Sequence, residues 1–556
     1  MQVAGMASNR GRNLLNVADR APGGADLAVV VSDEPDAPVL EAAAERGIPA
    51  ESVVPREDED RRAHERRLID VLGDYDLDLV CLDGYMRILS DTFLDRAPTT
   101  LNVHPSLLPA FPGDDAWGDA IDAGVKVTGA TVHVVVDATN DQGEIVEDRI
   151  DCGPAVTQEP VPVFEGDDRA TLKERVLHEA EFRAYPRAIR LFAAGRVDVD
   201  SEDESVTLTS DDVAGGEGDG LRARRITTGD RAAALRYGEN PHQDAALYAD
   251  YAVAEPNVVD APQLNEGAKA LSYNNYNDAD AALDLVKEFD APAAAVIKHT
   301  NPAGAAVADT LAEAYADALA TDAQSAFGGV VALNRRCDRA TAAQIVESYK
   351  EIVVAPDYTG DALDVLTGKE DLRVLAVGHG AGGPPGNGGD AKGFGEPTAR
   401  YTEKDLVGGR LVQERDDQDP DMADCEVVTE REPTAAQLET MRFAWRTIKH
   451  IKSNAIVFAS GTETVGVGMG QVSRVDAVRL AALKAEEHAE GKSAEGAVMA
   501  SDAFFPFPDG VEYAAEAGVE AVVQPGGSQN DDAVIAAADE HDMAMVLTGS
   551  RCFRHD

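Results

Sequence analysis

Lysine is scarce in this chain: 13 of its 50 basic residues are lysine and the other 37 are arginine, against 101 aspartates and glutamates. The formal net charge of −51 argues against nucleic acid as a partner, since phosphate is held by Lys and Arg. The acid is spread along the whole chain, and self-repulsion of this size needs screening. At 1 M salt the Debye length falls to about 3 Å. The composition therefore predicts a cytoplasm of high ionic strength, as in a halophile.

Cysteine is also rare. Cys81, Cys152, Cys337, Cys425 and Cys552 are widely scattered, which argues against a disulfide framework, and no Cys-x-x-Cys pair offers a zinc ribbon. Long apolar runs are missing too. No stretch reaches membrane length, and no basic segment precedes the first strand-like run. The expectation is a soluble, cytoplasmic chain with no membrane partner. At 556 residues it is too long for one ordinary domain and should form two or three.

What is present is organised around Leu101-Asn-Val-His-Pro-Ser-Leu-Leu-Pro109. In an extended chain residues i and i+2 point to one side, so Asn102 and His104 share a pocket. Acyl transfer needs such a pair: an amide to steady an oxyanion and an imidazole, neutral near pH 7, to move a proton. Short strands are predicted at 2–6, 27–31, 79–82, 99–103 and 128–136, with helical patterns near 36–46, 59–73 and 168–194. That alternation gives an open, mostly parallel α/β sheet whose ligands lie at the carboxyl ends of the strands. Ser8–Asn13, Gly84–Leu89 and Asn102–His104 fall at such ends.

The motifs Ser8–Asn13, Gly84-Tyr-Met-Arg-Ile-Leu-Ser90, Leu101–Pro109, Val127–His133, Asp151-Cys-Gly-Pro154 and Glu181…Tyr185-Pro186 run in order over about 195 residues. Together they resemble the folate-dependent glycinamide ribonucleotide (GAR) formyltransferases, with their Rossmann-like sheet. The resemblance implies that Asn102, His104 and Asp151 are catalytic. It places the substrate phosphate on Gly11, Arg12 and Asn13, the ribose on Glu181, and the pterin of 10-formyltetrahydrofolate near Met86, Arg87, Ile88 and Leu89. Arg10 and Arg12 depart from the smaller residues usual in the phosphate loop, and the acidic loop 137–151 before Asp151 is longer than usual.

Residues 196–222 are acidic, Gly-rich and poor in large apolar side chains, which is linker composition. The predicted domains are therefore 1–195 and 223–556. A second low-complexity stretch, 378–396, reads as a surface loop inside the second domain.

Beyond the linker, Leu235-Arg-Tyr-Gly-Glu-Asn-Pro-His-Gln243 packs polar and turn residues together, and Ala293-Ala-Ala-Val-Ile297 ends on Lys298-His-Thr-Asn-Pro-Ala-Gly304. A Lys and a His at a strand terminus before a Pro/Gly loop are well placed for chemistry. Ser325–Gly329, Lys452-Ser-Asn-Ala455, Gly468–Arg474, Ser501–Phe507 and Arg551-Cys-Phe-Arg-His555 complete the pattern, and the last reads as a docked tail. This half resembles the AICAR (aminoimidazole carboxamide ribonucleotide) formyltransferase domain of the bifunctional purine enzymes. The family fold is a duplicated cytidine-deaminase-like α/β/α sandwich, generally a homodimer. The resemblance implies Lys298 and His299 as the catalytic pair. It gives Asn454 the transferring formyl group, and the nucleotide to Arg236, Tyr237, Arg551 and His555. The IMP cyclohydrolase domain that normally precedes this one is replaced here by the GAR-type domain.

His488-Ala-Glu490 imitates half of a zinc deaminase signature, but Pro-Cys-x-x-Cys is absent, so it reads as a solvated helix face. The expected function is two formyl transfers, to GAR and to AICAR, with no metal required. The rival readings make the first domain a formyltetrahydrofolate hydrolase or a non-catalytic module.

Overall fold

Runs of four to eight residues dominated by Val, Ala, Leu and Ile, each followed by a helix-forming segment, are what a buried sheet requires. In the computed structural model these runs become strands of two units, Met1–Ile226 and Thr227–Asp556. The structure describes all residues except 141, 143, 201–202, 210–223, 251–252, 254, 266, 379–393, 395–400 and 556.

In the first unit, β1 (Gln2–Met6), β2 (Asp26–Ser32), β3 (Ala50–Ser52), β4 (Leu79–Leu82), β5 (Thr100–His104), β6 (Val127–Val134) and β7 (Ala155–Pro162) form one sheet in the order β3-β2-β1-β4-β5-β6-β7. The pairs from β3 to β5 are parallel, while β6 and β7 are antiparallel additions. Chain order reverses at β1, so the crevice at its carboxyl end is the topological switch point. The helix predicted over 168–194 is interrupted. Arg169–Arg175 runs into a π turn, Val176–Glu181, before Phe182–Ala193 resumes. The extra residue per turn rotates Glu181 inward, where it is 7% exposed.

Part of the stretch expected as a linker is ordered. Val197–Asp200 (β8) pairs with Ser205–Leu208 (β9), and Val197, Val199 and Val206 pack on the core of the first unit. The alternation Val197-Asp-Val-Asp200 is a half-buried strand pattern that the acidic composition masked. Residues 210–222 of the expected linker lie outside the described residues. So does most of the low-complexity stretch 378–396.

The second unit opens with a hairpin, β10 (Asp230–Leu235) and β11 (Ala245–Ala249). Then come β12 (Ala293–Lys298), β13 (Asn301–Val307), β14 (Val330–Leu333), β15 (Ile352–Ala355) and β16 (Arg373–Ala376). A separate hairpin, β17 (Tyr401–Leu406) with β18 (Gly409–Glu414), and the short β19 (Glu426–Val427) precede the last five strands. These are β20 (Ile456–Ser460), β21 (Glu463–Gly468), β22 (Val498–Ser501), β23 (Ala521–Gln524) and β24 (Ala544–Leu547). Among the described residues one eleven-stranded sheet results, ordered β16-β15-β14-β12-β13-β21-β20-β22-β23-β24-β19.

The halves of that sheet repeat each other. Each has a helix with a capping box (Ser272 before Tyr273–Lys287, Thr434 before Ala435–Ile448), then an antiparallel hairpin, then three helix–strand pairs. They meet edge to edge at β13 and β21, through Ala306 opposite Glu463. Alternate residues feed opposite cores: Ala293, Ala295 and Ile297 face a core shared by both halves, while Ala294 and Val296 face one belonging to the first half. This is the duplicated α/β/α sandwich that the resemblance implied.

Candidate active sites

β5 delivers Asn102 and His104 to one carboxylate. His104 Nδ1 lies 3.1 Å from Asp151 Oδ2, and Asn102 Nδ2 lies 3.5 Å from Asp151 Oδ1. The long acidic loop still brings Asp151 home: the residue sits at φ 56, and the Gly113 N–H donates to its Oδ2 at 3.1 Å. The other imidazole nitrogen, Nε2, is 2.8 Å from the Phe111 carbonyl oxygen. Both ring nitrogens thus face acceptors, which only the doubly protonated ring satisfies. Burial opposes that charge, but the Asp151 hydrogen bond and charge outweigh it, so His104 is raised and Asp151 lowered from their ordinary values. Sequence reads His104 as neutral near pH 7; its two acceptors shift it toward the charged form.

His133 carries no role from the sequence motifs alone. It stands opposite Asn102 on β6, and its Nε2 is 3.2 Å from Asn102 Nδ2. Burial lowers its pKa, so a neutral ring accepts from the amide while its Nδ1–H points to the Val134 carbonyl oxygen, 3.2 Å away. Arg87, Ile88 and Leu89 line a cleft with Asn102, His133 and Asp151. Met86, 66% exposed, and His104 are not in its lining.

Next to this cleft, Gly11 turns the chain at φ 52 into the helix Arg12–Arg20, and a Cβ there would come 2.4 Å from Val39 Cγ2. Asn13 is buried, with its N–H on Asp83 Oδ2 (2.7 Å) and its Nδ2 on Asp83 Oδ1 (3.1 Å) and Glu181 Oε2 (2.6 Å). Burial, and then the Asp83 charge, push Glu181 up to about 7. Arg12 is turned to Glu174, with two contacts of 3.0 Å. The structure therefore brings Gly11, Asn13 and Glu181 together but gives Arg12 a carboxylate partner.

In the second unit β12 ends on Lys298 and turns through His299 and Thr300 into β13. Both turn residues have positive φ, 52 and 61, the type I′ shape that Asn-Gly adopts without strain. A histidine and a β-branched threonine there cost roughly 1–3 kcal/mol each. His299 is exposed at the tip. Lys298 Nζ donates to the Phe327 carbonyl oxygen. Lys350 is 3% exposed, and burial and the Lys298 charge push it down to about 8, a cation that the motifs did not reveal.

The Asn454 amide is fully engaged within the protein. Nδ2 donates to the Gln471 and Val472 carbonyls at 2.9 and 3.0 Å, and Oδ1 accepts from Arg474 Nη2 at 2.6 Å. Arg474 is itself fixed by Ser501 and Asp502. Asn454 and Arg551 line a cavity of about 480 Å³ with Phe504, Phe507 and Phe553. Lys298, His299, Arg236, Tyr237 and His555 are not in its lining. Arg236 stacks over Tyr237 at 5.2 Å, and Phe553 meets His555 at 5.3 Å. The tail is docked as expected, with the Cys552 N–H on the Asp502 carbonyl (3.0 Å) and the Ser453 N–H on that of Arg554 (2.8 Å).

One reading fails. His488 is no solvated face: it ends the helix Arg474–Glu487 with Nδ1 3.2 Å from the buried Asp322, which Lys484 also meets at 3.2 Å. The carboxylate comes from the far end of another helix, which no local pattern shows. Among the described residues no group of three or more His, Cys, Asp or Glu could hold a metal ion, and no helix is long and apolar enough to cross a membrane.

Comparison with known proteins adds the family. Residues 1–189 match the family model described as formyl transferase. The bifunctional purine biosynthesis protein PurH of Brucella ovis is 49% identical over 340 residues, covering 60% of this chain and 60% of its own, so the chain spans about 60% of the length of such relatives. The solved glycinamide ribonucleotide transformylase 1 of Symbiobacterium toebii is 40% identical, covering 38% of this chain and 94% of its own, with a TM-score of 0.34. For the phosphoribosylglycinamide formyltransferase of Anaplasma phagocytophilum the figures are 34%, 38%, 96% and 0.33. Residues 205–484, half of the chain, match the model described as AICARFT/IMPCHase bienzyme, and the chain belongs to that family.

Proposed function

We propose that the first unit transfers a formyl group from 10-formyltetrahydrofolate to GAR, and that the second transfers one to AICAR. The observation that carries the reading is the convergence of Asn102, His104 and Asp151 beside the Arg87–Leu89 cleft, on a chain that matches a formyl transferase model there and the AICARFT/IMPCHase model beyond.

In the first site the GAR amine attacks the formyl carbon. The carbonyl oxygen becomes an oxyanion steadied by Asn102 Nδ2 and the His104 charge. The imidazolium gives a proton to the departing tetrahydrofolate nitrogen, and the proton lost by the amine replaces it, with Asp151 holding the ring between the two transfers. Gly11–Asn13 and Glu181 take the nucleotide, with Arg12 exchanging Glu174 for phosphate, and Arg87–Leu89 border the pterin.

In the second site the nucleophile is a conjugated ring amine, and weaker. His299 serves as base and Lys298 as its cationic partner, while Asn454 gives up one carbonyl to hold the formyl oxygen. Arg236, Tyr237, Arg551 and His555 bind the nucleotide. This is acid–base chemistry throughout and invokes no metal. The acidic composition supports a halophilic cytoplasm, and apolar side chains exposed on the hairpins, such as Tyr248 and Leu411, support a homodimer through the second unit.

Both transfers should be assayed on His104→Ala and His299→Ala. Each variant should lose about 10²–10⁴-fold in one reaction only, GAR formylation for the first and AICAR formylation for the second. A well-folded His104→Ala that formylates GAR at the full rate would remove the first assignment.

A further inference from the structure

His299 stands on a turn whose backbone shape its own residues disfavour, so something outside the turn must hold it. The N–H of Thr300 projects from the hairpin and needs an acceptor. It finds one in the helix Tyr273–Lys287, where Asp278 Oδ1 receives it at 2.7 Å. The other side of the turn is held from within. The His299 carbonyl accepts from Thr300 Oγ1 at 2.7 Å and from Asn301 Nδ2 at 3.0 Å, and Asn301 Oδ1 in turn accepts the Lys452 N–H at 3.1 Å. The turn is thus suspended between the Asp278 helix and the segment that leads to Asn454.

We propose that Asp278 is a positioning residue of the second site: its carboxylate holds the His299–Thr300 turn at positive φ and so fixes where the imidazole stands relative to Lys298 and Asn454. This rests on His299 being the acid–base group there. The Asp278 carboxylate receives the backbone of the turn, and its charge is felt by His299. It acts through the backbone, as the partner that makes an unfavourable shape the resident one.

The claim has a specific consequence. If Asp278 is needed because Thr300 resists φ 61, removing that resistance should remove the need. Glycine adopts positive φ freely. Asp278→Ala should lower kcat for AICAR formylation by about 10²-fold, the order expected when a catalytic group is displaced by an ångström, with little change in the KM for AICAR. Adding Thr300→Gly to it should restore most of the rate. Asp278→Asn keeps an acceptor oxygen and should retain most of it too. GAR formylation in the same preparations should be unaffected. Asp278→Glu moves the acceptor by one methylene and serves the same comparison should the alanine variant not fold.

Hydrogen exchange at the Thr300 amide reads the turn without any assay, and should be slow in the wild type and in Asp278→Asn and fast in Asp278→Ala. An Asp278→Ala enzyme with full kcat, a double variant no faster than the single one, or an exchange rate that Asp278→Ala leaves unchanged would overturn the proposal. A wild-type protein unable to formylate AICAR would defeat the functional reading instead, and amide exchange would then decide the role of Asp278.

Discussion

Glu181 shows how much one side chain can hold. It ends the π turn, shares the Asn13 amide with Asp83, and keeps its proton up to about 7 against an ordinary 4.5. In the unfolded chain the same group ionises near 4.5. The folded state therefore binds this proton more tightly, and its advantage is complete below 4.5 and lost as pH rises through about 7. The loss amounts to at most about 3 kcal/mol. Glu181→Gln cannot ionise, so denaturant melts of the wild type and the variant should diverge between those pH values, with the variant gaining, and then run parallel. A constant difference across that range would mean that Glu181 is already ionised in the folded protein.

Sequence reveals residues of this kind unevenly. Asn102 and His104 were legible because two positions apart on a strand is a local relation. His133 lies in a motif but acts across the ladder, and Asp278 lies on a helix far from the turn it holds, so no spacing exposes either. The shift of His104 toward its charged form was not legible for a related reason. Its second acceptor is a backbone carbonyl, Phe111, which composition does not display.

At the scale of elements, two glycines, one in each half of the repeat, let helices press against hairpins. A Cβ on Gly304 of β13 would come 2.0 Å from the Ala318 carbonyl oxygen, and one on Gly468 of β21 would come 1.9 Å from that of Ala477. Backbone meets backbone at both points, so there is no flexible side chain to give way. Gly468→Ala should destabilise the second unit by about 1–3 kcal/mol, the usual cost of overpacking, or more. Urea denaturation followed in parallel with GAR formylation checks it, since the first reaction should survive. Strands such as 2–6, 79–82 and 293–297 were legible almost to the residue, because period and apolar run length are local, while β3, β7 and most strands of the second unit were not read. The π turn and the hairpin β8–β9 were not. One is an insertion inside a good helical pattern, and the other is hidden by alternate aspartates.

At the scale of the molecule, a net charge of −51 dominates. Diluting salt from molar to about 0.1 M lengthens the screening distance to about 10 Å, and like charges across each unit then repel. Circular dichroism through such a dilution should show loss of structure and a falling melting point. An unchanged melt would remove the case for a high-salt working environment.

The edges of the two sheets bear on the same condition. Molar salt screens the repulsion that would keep molecules apart, so an open strand edge becomes an invitation to join another chain. The first sheet ends on one side in β3, three residues long, and on the other in β7, where Pro160 and Pro162 carry no N–H to offer. The second ends in β19, two residues long, and in β16, along which Pro262–Leu264 is laid: the Ala376 N–H reaches Pro262 and the Leu264 N–H reaches Val374. Where charge has stopped working as a colloidal stabiliser, short strands, prolines and a covering segment leave a neighbouring chain little to pair with.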